Sequence, residues 1–89
     1  MNLDRLYSVP VDKTAQATFA VFDALQHERF GPAEQRVAAM FCAAYLAARR
    51  YGISPMLGWD FANNIIWGTE GKQQAIEFAG AKRYLKEEF

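Results

Sequence analysis

The residues best suited to catalysis are His27, the only histidine, and Asp23, which lies four positions earlier. On a helix this spacing places both side chains on one face, and a carboxylate that orients an imidazole is half of a catalytic dyad. No nucleophile accompanies them at an informative spacing, because Ser8 and Ser54 have the surroundings of turn or helix-capping residues. We therefore expect a surface histidine near a helix C-terminus, no catalytic residue and no enzymatic activity.

The sequence also gives no support for a metal site or a cofactor site. A metal site needs about three or four His, Cys or carboxylate ligands, and one histidine and one cysteine without motif spacing do not supply them. Cys42 has apolar neighbours and is predicted to be a buried, inert thiol. The glycines form no phosphate-binding or dinucleotide-binding motif. We predict no metal and no cofactor.

Length and charge restrict the class of protein. The chain has 89 residues, which is enough for one domain over 1–89, and 52% of them are hydrophobic, which argues against disorder. Ten basic residues balance ten acidic ones, so no overall field attracts nucleic acid or an anionic membrane. A single cysteine, an N-terminus unlike a signal peptide and the lack of a roughly 20-residue apolar run predict a soluble cytoplasmic protein without a membrane span.

An uncharged run over 37–48 is the clearest structural feature. Pro32 precedes the run and Gly52 follows it, with Glu34 near the positive end of the helix dipole and arginines near the negative end. This pattern predicts a helix over 32–51. Because the run is apolar on nearly every side, we expect the helix to be buried at the centre of the domain.

Capping signals and periodicity predict three further helices. Asp12 is the expected N-cap of the first helix, and Ser54-Pro55 and Gly68 bound the third. The last helix follows Thr69 and carries apolar residues at three- and four-residue steps. Gly80, in the middle of this last helix, is expected to mark a close crossing with the alanine-rich second helix.

The predicted fold is therefore all-α, a compact domain packed around the second of four helices, near 13–29, 32–51, 55–67 and 70–88. Residues 1–11 are expected to form an extended N-terminal arm, in which Pro10 disfavours a central strand position. A helical turn through Leu3, Leu6 and Tyr7, or a partly frayed terminus, is the alternative for this region. A second alternative concerns the third helix. Asn63-Asn64 between strand-like flanks would make a short hairpin at 59–67 and an α+β fold.

The third predicted helix carries the predicted binding surface. Its core stripe of Leu57, Phe61 and Ile65 leaves aromatic and polar residues on other faces, and tryptophans often anchor protein interfaces. A place in the core is the alternative for each tryptophan. We predict a non-enzymatic protein-binding module, an adaptor or inhibitor of a larger protein or complex, of a kind common among phage and mobile-element accessory proteins. Its partner-binding residues would be Met56, Trp59, Asp60, Asn63, Asn64 and Trp67.

Two alternative functions follow from the same helices. A helix-turn-helix regulator would place residues 55–67 on nucleic acid, but this stretch has no Lys or Arg and carries Asp60, which disfavours phosphate binding. A homodimeric structural protein would hide the excess apolar surface of the second helix. The expected dimer contact is the face formed by Ala39, Cys42 and Leu46.

Overall fold

The fold is all-α. A computed structural model describes residues 1–26, 30–68 and 75–89. Within those ranges it contains no strand, and its regular elements are α1 (Leu3–Tyr7), α2 (Val11–Leu25), α3 (Ala33–Tyr51), α4 (Pro55–Trp67), a 3-10 turn (Ile76–Phe78) and α5 (Ala79–Glu87). The predicted helical class is confirmed. The alternative hairpin at 59–67 is wrong, because that stretch lies inside α4.

The α3 helix begins and ends where its sequence signals predict. Pro32 occupies the N-cap, and Gly52 follows the last turn in the left-handed conformation at φ 71°. The Gly52 amide donates to the Arg49 carbonyl at 3.4 Å and the Ile53 amide to the Ala48 carbonyl at 2.8 Å. This pair of bonds is a Schellman motif, which satisfies two carbonyls that the helix end leaves open.

Helix α4 follows after a three-residue connection and has the predicted bounds, 55–67. Pro55 stands in the first turn, where its missing amide hydrogen costs nothing, and Gly68 leaves the helix at φ 76°. Ser54 is the N-cap, although its side chain makes no capping bond. Rigid helix ends on both sides of so short a connection make α3 and α4 neighbours.

The N-terminal region differs from the predicted extended arm. Asn2 caps a short helix, α1, by accepting a hydrogen bond from the Asp4 amide at 2.8 Å. The N-cap of α2 is Pro10 and not Asp12, which lies in the first turn. Asx capping and proline pre-organisation act within a few residues, and here they outweigh the strand-like alternation of the arm.

The packed centre of the molecule lies between α2 and the C-terminal elements. Among the described residues, the buried side chains are Ala15, Phe78 and Ala81. Alanines on both helices let α5 approach α2, and Phe78 fills the space where the 3-10 turn enters α5. Aromatic pairs extend this contact: Phe19 meets Tyr84 at 4.7 Å between ring centroids, and Phe22 meets Phe89 at 5.4 Å.

Several sequence predictions about these helices are wrong in detail or fall on residues outside the described ranges. The first predicted helix, 13–29, is α2 and ends at Leu25, while residues 27–29 are outside the described ranges. The Thr69 cap and residues 70–74 of the predicted helix 70–88 also lie outside those ranges, and the rest of that prediction is wrong at its start, because the 3-10 turn Ile76–Phe78 precedes α5, which begins at Ala79. Gly80 marks no close crossing with α3, because a Cβ placed on it would meet no atom within 4 Å.

The predicted burial of the second helix is wrong. No residue of α3 is buried, and Phe41, Tyr45 and Leu46 are each more than half exposed. The molecule is a flattened body with principal extents of 37 × 30 × 19 Å. Since a helix with its side chains is about 10 Å across, the thin dimension holds only two layers, and α3 has no covering layer on its outer side.

Candidate protein-interaction surface

Helix α4 separates a half-buried stripe from an exposed face. Leu57, Phe61 and Ile65 are half-buried, as the core stripe predicts. The predicted partner-binding residues lie mainly on the other side, and all are exposed except the half-buried Asn64: Met56, Trp59, Asp60, Asn63, Asn64 and Trp67. The helix therefore brings these side chains onto one continuous strip of surface.

Both tryptophans lie at the surface. Trp59 is 68% exposed and Trp67 is 41% exposed, and Met56 at the start of the helix is 82% exposed. Full burial of a large apolar side chain contributes roughly 1.5–3 kcal/mol to folding stability. These exposed side chains contribute less than that. A cluster of them on one helix is a feature of interaction sites.

The α4 surface continues onto α3 through an aromatic contact. The Phe41 and Trp59 rings stack with centroids 5.8 Å apart and planes inclined by 26°. On α3, Val37, Phe41 and Tyr45 follow four-residue steps and form an exposed ridge, hereafter the α3 ridge. The sequence prediction missed this ridge as a surface. Its four-residue spacing was visible, but the uncharged run over 37–48 gives no sign of which side of the helix faces water.

Asp60 connects this surface to the N-terminal helix. The Tyr7 hydroxyl donates to the Asp60 carboxylate at 3.4 Å, and the Tyr7 ring meets the Phe61 ring edge-on at 5.7 Å. Partial burial raises the pKa of Tyr7, and the charge and the hydrogen bond of Asp60 raise it further. Asp60 is thus a polar group that positions α1, and it also offers an acceptor at the surface.

The predicted dimer face has mixed exposure. Leu46 and Cys42 are exposed, while Ala39 is half-buried. The expected burial of Cys42 is wrong, because the outer side of α3 has no covering element. Its exposure follows from the placement of α3 at the surface.

The structure adds no support for a catalytic role of Asp23. Asp23 accepts a hydrogen bond from the Tyr84 hydroxyl at 2.9 Å, so this acid holds α5 to α2. His27 lies outside the described residues. Across residues 1–26, 30–68 and 75–89, no three His, Cys, Asp or Glu side chains come together as a metal site. The absence of enzymatic activity stays a prediction.

Two open depressions lie away from the α4 surface. One is bordered by α2 and α5, with Asp12 and Glu77 at its edge and Ala15 and Ala81 at its floor. The other lies beside the start of α3 and is lined in part by Phe30 and Arg36. The Arg36 guanidinium donates to the carbonyls of Gly31 and Phe89, so it is part of the packing.

The helix that would recognise nucleic acid in a helix-turn-helix motif, α4, has no cationic side chain. The α3 and α4 helices are joined by a short turn, as such a motif requires, but α4 contains no Lys or Arg. In the described part of the chain, no helix is both long enough and apolar enough to cross a membrane.

Comparison with known proteins identified no similar protein. The chain matches no protein-family model, no curated protein and no solved structure. The exposed surfaces of α3 and α4 are therefore the features of this chain that bear on its function.

Proposed function

We propose that the chain is a non-enzymatic protein-binding module that docks a larger protein through the exposed face of α4. The observation that carries this proposal is the exposure of Met56, Trp59 and Trp67 on one face of one helix. Their combined apolar area would be desolvated on binding, at roughly 25 cal/mol per Å² before the costs of association.

The polar residues of the same face define the partner's chemistry. Asp60 offers carboxylate oxygens, and the Asn63 side chain offers both an acceptor and donors. A matching partner surface has an apolar pocket for Trp59, bordered by hydrogen-bond donors. This arrangement of an apolar anchor within a polar rim is typical of protein interfaces.

An adaptor or inhibitor role fits this arrangement. The face is a single helix on a small body, so it could enter a groove of a larger protein as an amphipathic helix does. A near-neutral net charge contributes no long-range attraction, so recognition would depend on the contact itself. Nucleic acid is a weaker candidate, because α4 lacks the cations that phosphate binding requires.

The proposal is tested by affinity capture from the source cell with matched variants as bait. Trp59→Ala should weaken binding of the captured protein by about 2 kcal/mol or more, roughly 30-fold, because hot-spot tryptophans contribute that much. Binding of the purified pair is measured by calorimetry, and circular dichroism confirms that each bait is folded.

Two exposed apolar residues provide the control. Met56 on α4 and Ile76 on the 3-10 turn are both 82% exposed. Met56→Ala should weaken partner binding, while Ile76→Ala should leave it unchanged. Equal losses for the two variants would point to nonspecific adsorption and would remove α4 as the docking face.

A further inference from the structure

The α3 ridge has features that the α4 interaction does not use. Val37 is 40% exposed, Phe41 is 57% exposed and Tyr45 is 51% exposed, and no residue of α3 is buried. We propose that this ridge is the interface of a two-fold homodimer, in which α3 pairs antiparallel with α3 of a second copy. The inference goes beyond the proposed docking function and borders it at one point, because Phe41 of the ridge stacks on Trp59 of α4.

The chain exposes more surface than the average folded monomer of its mass. The solvent-accessible surface is 6927 Å², whereas a monomer of 10.1 kDa is expected to expose about 5,300 Å². The excess of about 1,600 Å² exceeds the roughly 800 Å² that each partner contributes to a standard interface. A second copy on the α3 ridge would cover part of this excess.

The ridge is symmetric in a way that suits a second copy. Ala38 and Ala44 lie three positions from Phe41 on either side, and Val37 and Tyr45 lie four positions from it. With Phe41 on the two-fold axis, Val37 meets the second copy's Tyr45, and Ala38 meets the second copy's Ala44. Two-fold interfaces require such self-complementary surfaces, and facing alanines let the helix axes approach closely.

Charge at the two ends of α3 selects the antiparallel direction. Glu34 lies seven positions before Phe41 and Arg49 lies eight positions after it, and both are exposed. Three- and four-residue steps through 38, 41 and 45 keep them on the ridge side of the helix. In an antiparallel pair centred on Phe41, each Glu34 lies opposite the second copy's Ala48, next to its Arg49, and the helix dipoles oppose each other. A parallel pair would place like charges together.

Light scattering and sedimentation equilibrium of the purified chain test the dimer. We expect a mass of twice 10.1 kDa at high concentration. Phe41→Glu should raise the dimer dissociation constant by at least about 100-fold, because two unpaired carboxylates would be buried at the axis. Ile76→Glu is the matched surface control and should not change it. A wild-type chain that stays monomeric at high concentration overturns the proposal.

Charge reversal tests the direction of pairing without altering the apolar ridge. Glu34→Arg and Arg49→Glu should each weaken the dimer by about tenfold at low salt, since each creates two repulsive contacts. The double variant, Glu34→Arg with Arg49→Glu, should recover the wild-type dissociation constant. Single variants without effect, or a double variant that stays weak, would contradict the antiparallel arrangement.

Two further variants distinguish the ridge dimer from a dimer through another face of α3 and from partner binding through α4. If Leu46→Glu dissociates the dimer and Phe41→Glu does not, the contact lies on the Ala39, Cys42 and Leu46 face and the ridge proposal is overturned. Trp67→Ala should weaken partner capture through α4 and leave the dimer unchanged. Trp67 is used here because Trp59 stacks on Phe41, so the homodimer and the docking function are tested at residues that do not share this contact.

Discussion

The pair formed by α2 and α5 and the pair formed by α3 and α4 use apolar residues in opposite ways. The first pair encloses Ala15, Phe78 and Ala81, whereas α3 and α4 bury no residue. Charged residues are sparse on α3 and frequent on α5, yet α5 is the better packed helix. Hydrophobic composition alone therefore does not determine burial.

Sidedness explains this difference. The charges of α5 lie on one side and leave small and aromatic residues on the other, so the helix has one direction in which to pack. On α3, apolar residues surround the axis between Val37 and Ala48, and neighbouring helices cover only part of them. The remainder stays available for contacts outside the chain.

The largest expected contrast is between two phenylalanines. Phe78 is 4% exposed and Phe41 is 57% exposed. Phe78→Ala should lower the free energy of unfolding by about 3–5 kcal/mol, because it leaves a cavity in the core. Phe41→Ala should lower it by less than about 1 kcal/mol in dilute, monomeric protein. Urea denaturation followed by circular dichroism measures both, and similar losses would break the comparison.

A smaller contrast comes from adding volume to two alanines. Ala81 is buried between α5 and α2, while Ala43 is exposed on α3. Ala81→Leu should destabilise the fold by about 1–3 kcal/mol through overpacking, and Ala43→Leu should change stability by no more than about 0.5 kcal/mol. The same urea titrations compare them. A neutral Ala81→Leu would show that the α2 and α5 contact is loosely packed.

The smallest expected effect is a loss of stability at alkaline pH. It depends on the hydrogen bonds of Tyr84 to Asp23 and of Tyr7 to Asp60. Partial burial raises the pKa of Tyr84, and its hydrogen bond to Asp23 and the charges of Asp23 and Glu88 raise it further. The folded state therefore favours the neutral phenol. Its stabilisation is complete below the ordinary tyrosine pKa near 10 and is lost as pH rises through the raised pKa.

Thermal midpoints near pH 9 and near pH 11 measure this loss. The wild type should lose stability over this interval, and Tyr84→Phe should lose less because one linked proton is removed. Tyr7→Phe tests the contact of α1 with Asp60, where the pKa of Tyr7 is raised in the same direction. An unchanged slope in Tyr84→Phe would mean that other groups carry the alkaline transition.

Helix bounds with strong local signals were predictable from the sequence. Pro32 and Gly52 bracket α3, and Ser54-Pro55 and Gly68 bracket α4, because these residues act on the backbone next to them. The short helix α1 was the less favoured interpretation of the N-terminus, a helical turn through Leu3, Leu6 and Tyr7. Its signal was weaker than the alternating pattern of Tyr7, Val9 and Val11 that favoured an extended arm.

Tertiary placement was harder to predict, because it depends on contacts between distant residues. Tyr84 meets Asp23 across 61 positions and Tyr7 meets Asp60 across 53, and no local rule pairs them. The exposed residues of α4 were identified because its polar and apolar sides differ. The exposed ridge of α3 was missed because that helix lacks such a difference.

The positions of the tryptophans determine what fluorescence can report. Both tryptophans of the chain lie on α4, where each is partly exposed, and neither is among the buried core residues Ala15, Phe78 and Ala81. Tryptophan emission should therefore be that of solvated indole already in the folded state. Occupation of the α4 face would shift it to shorter wavelength. An intrinsic fluorophore that reports binding more directly than unfolding is thus already present in this chain.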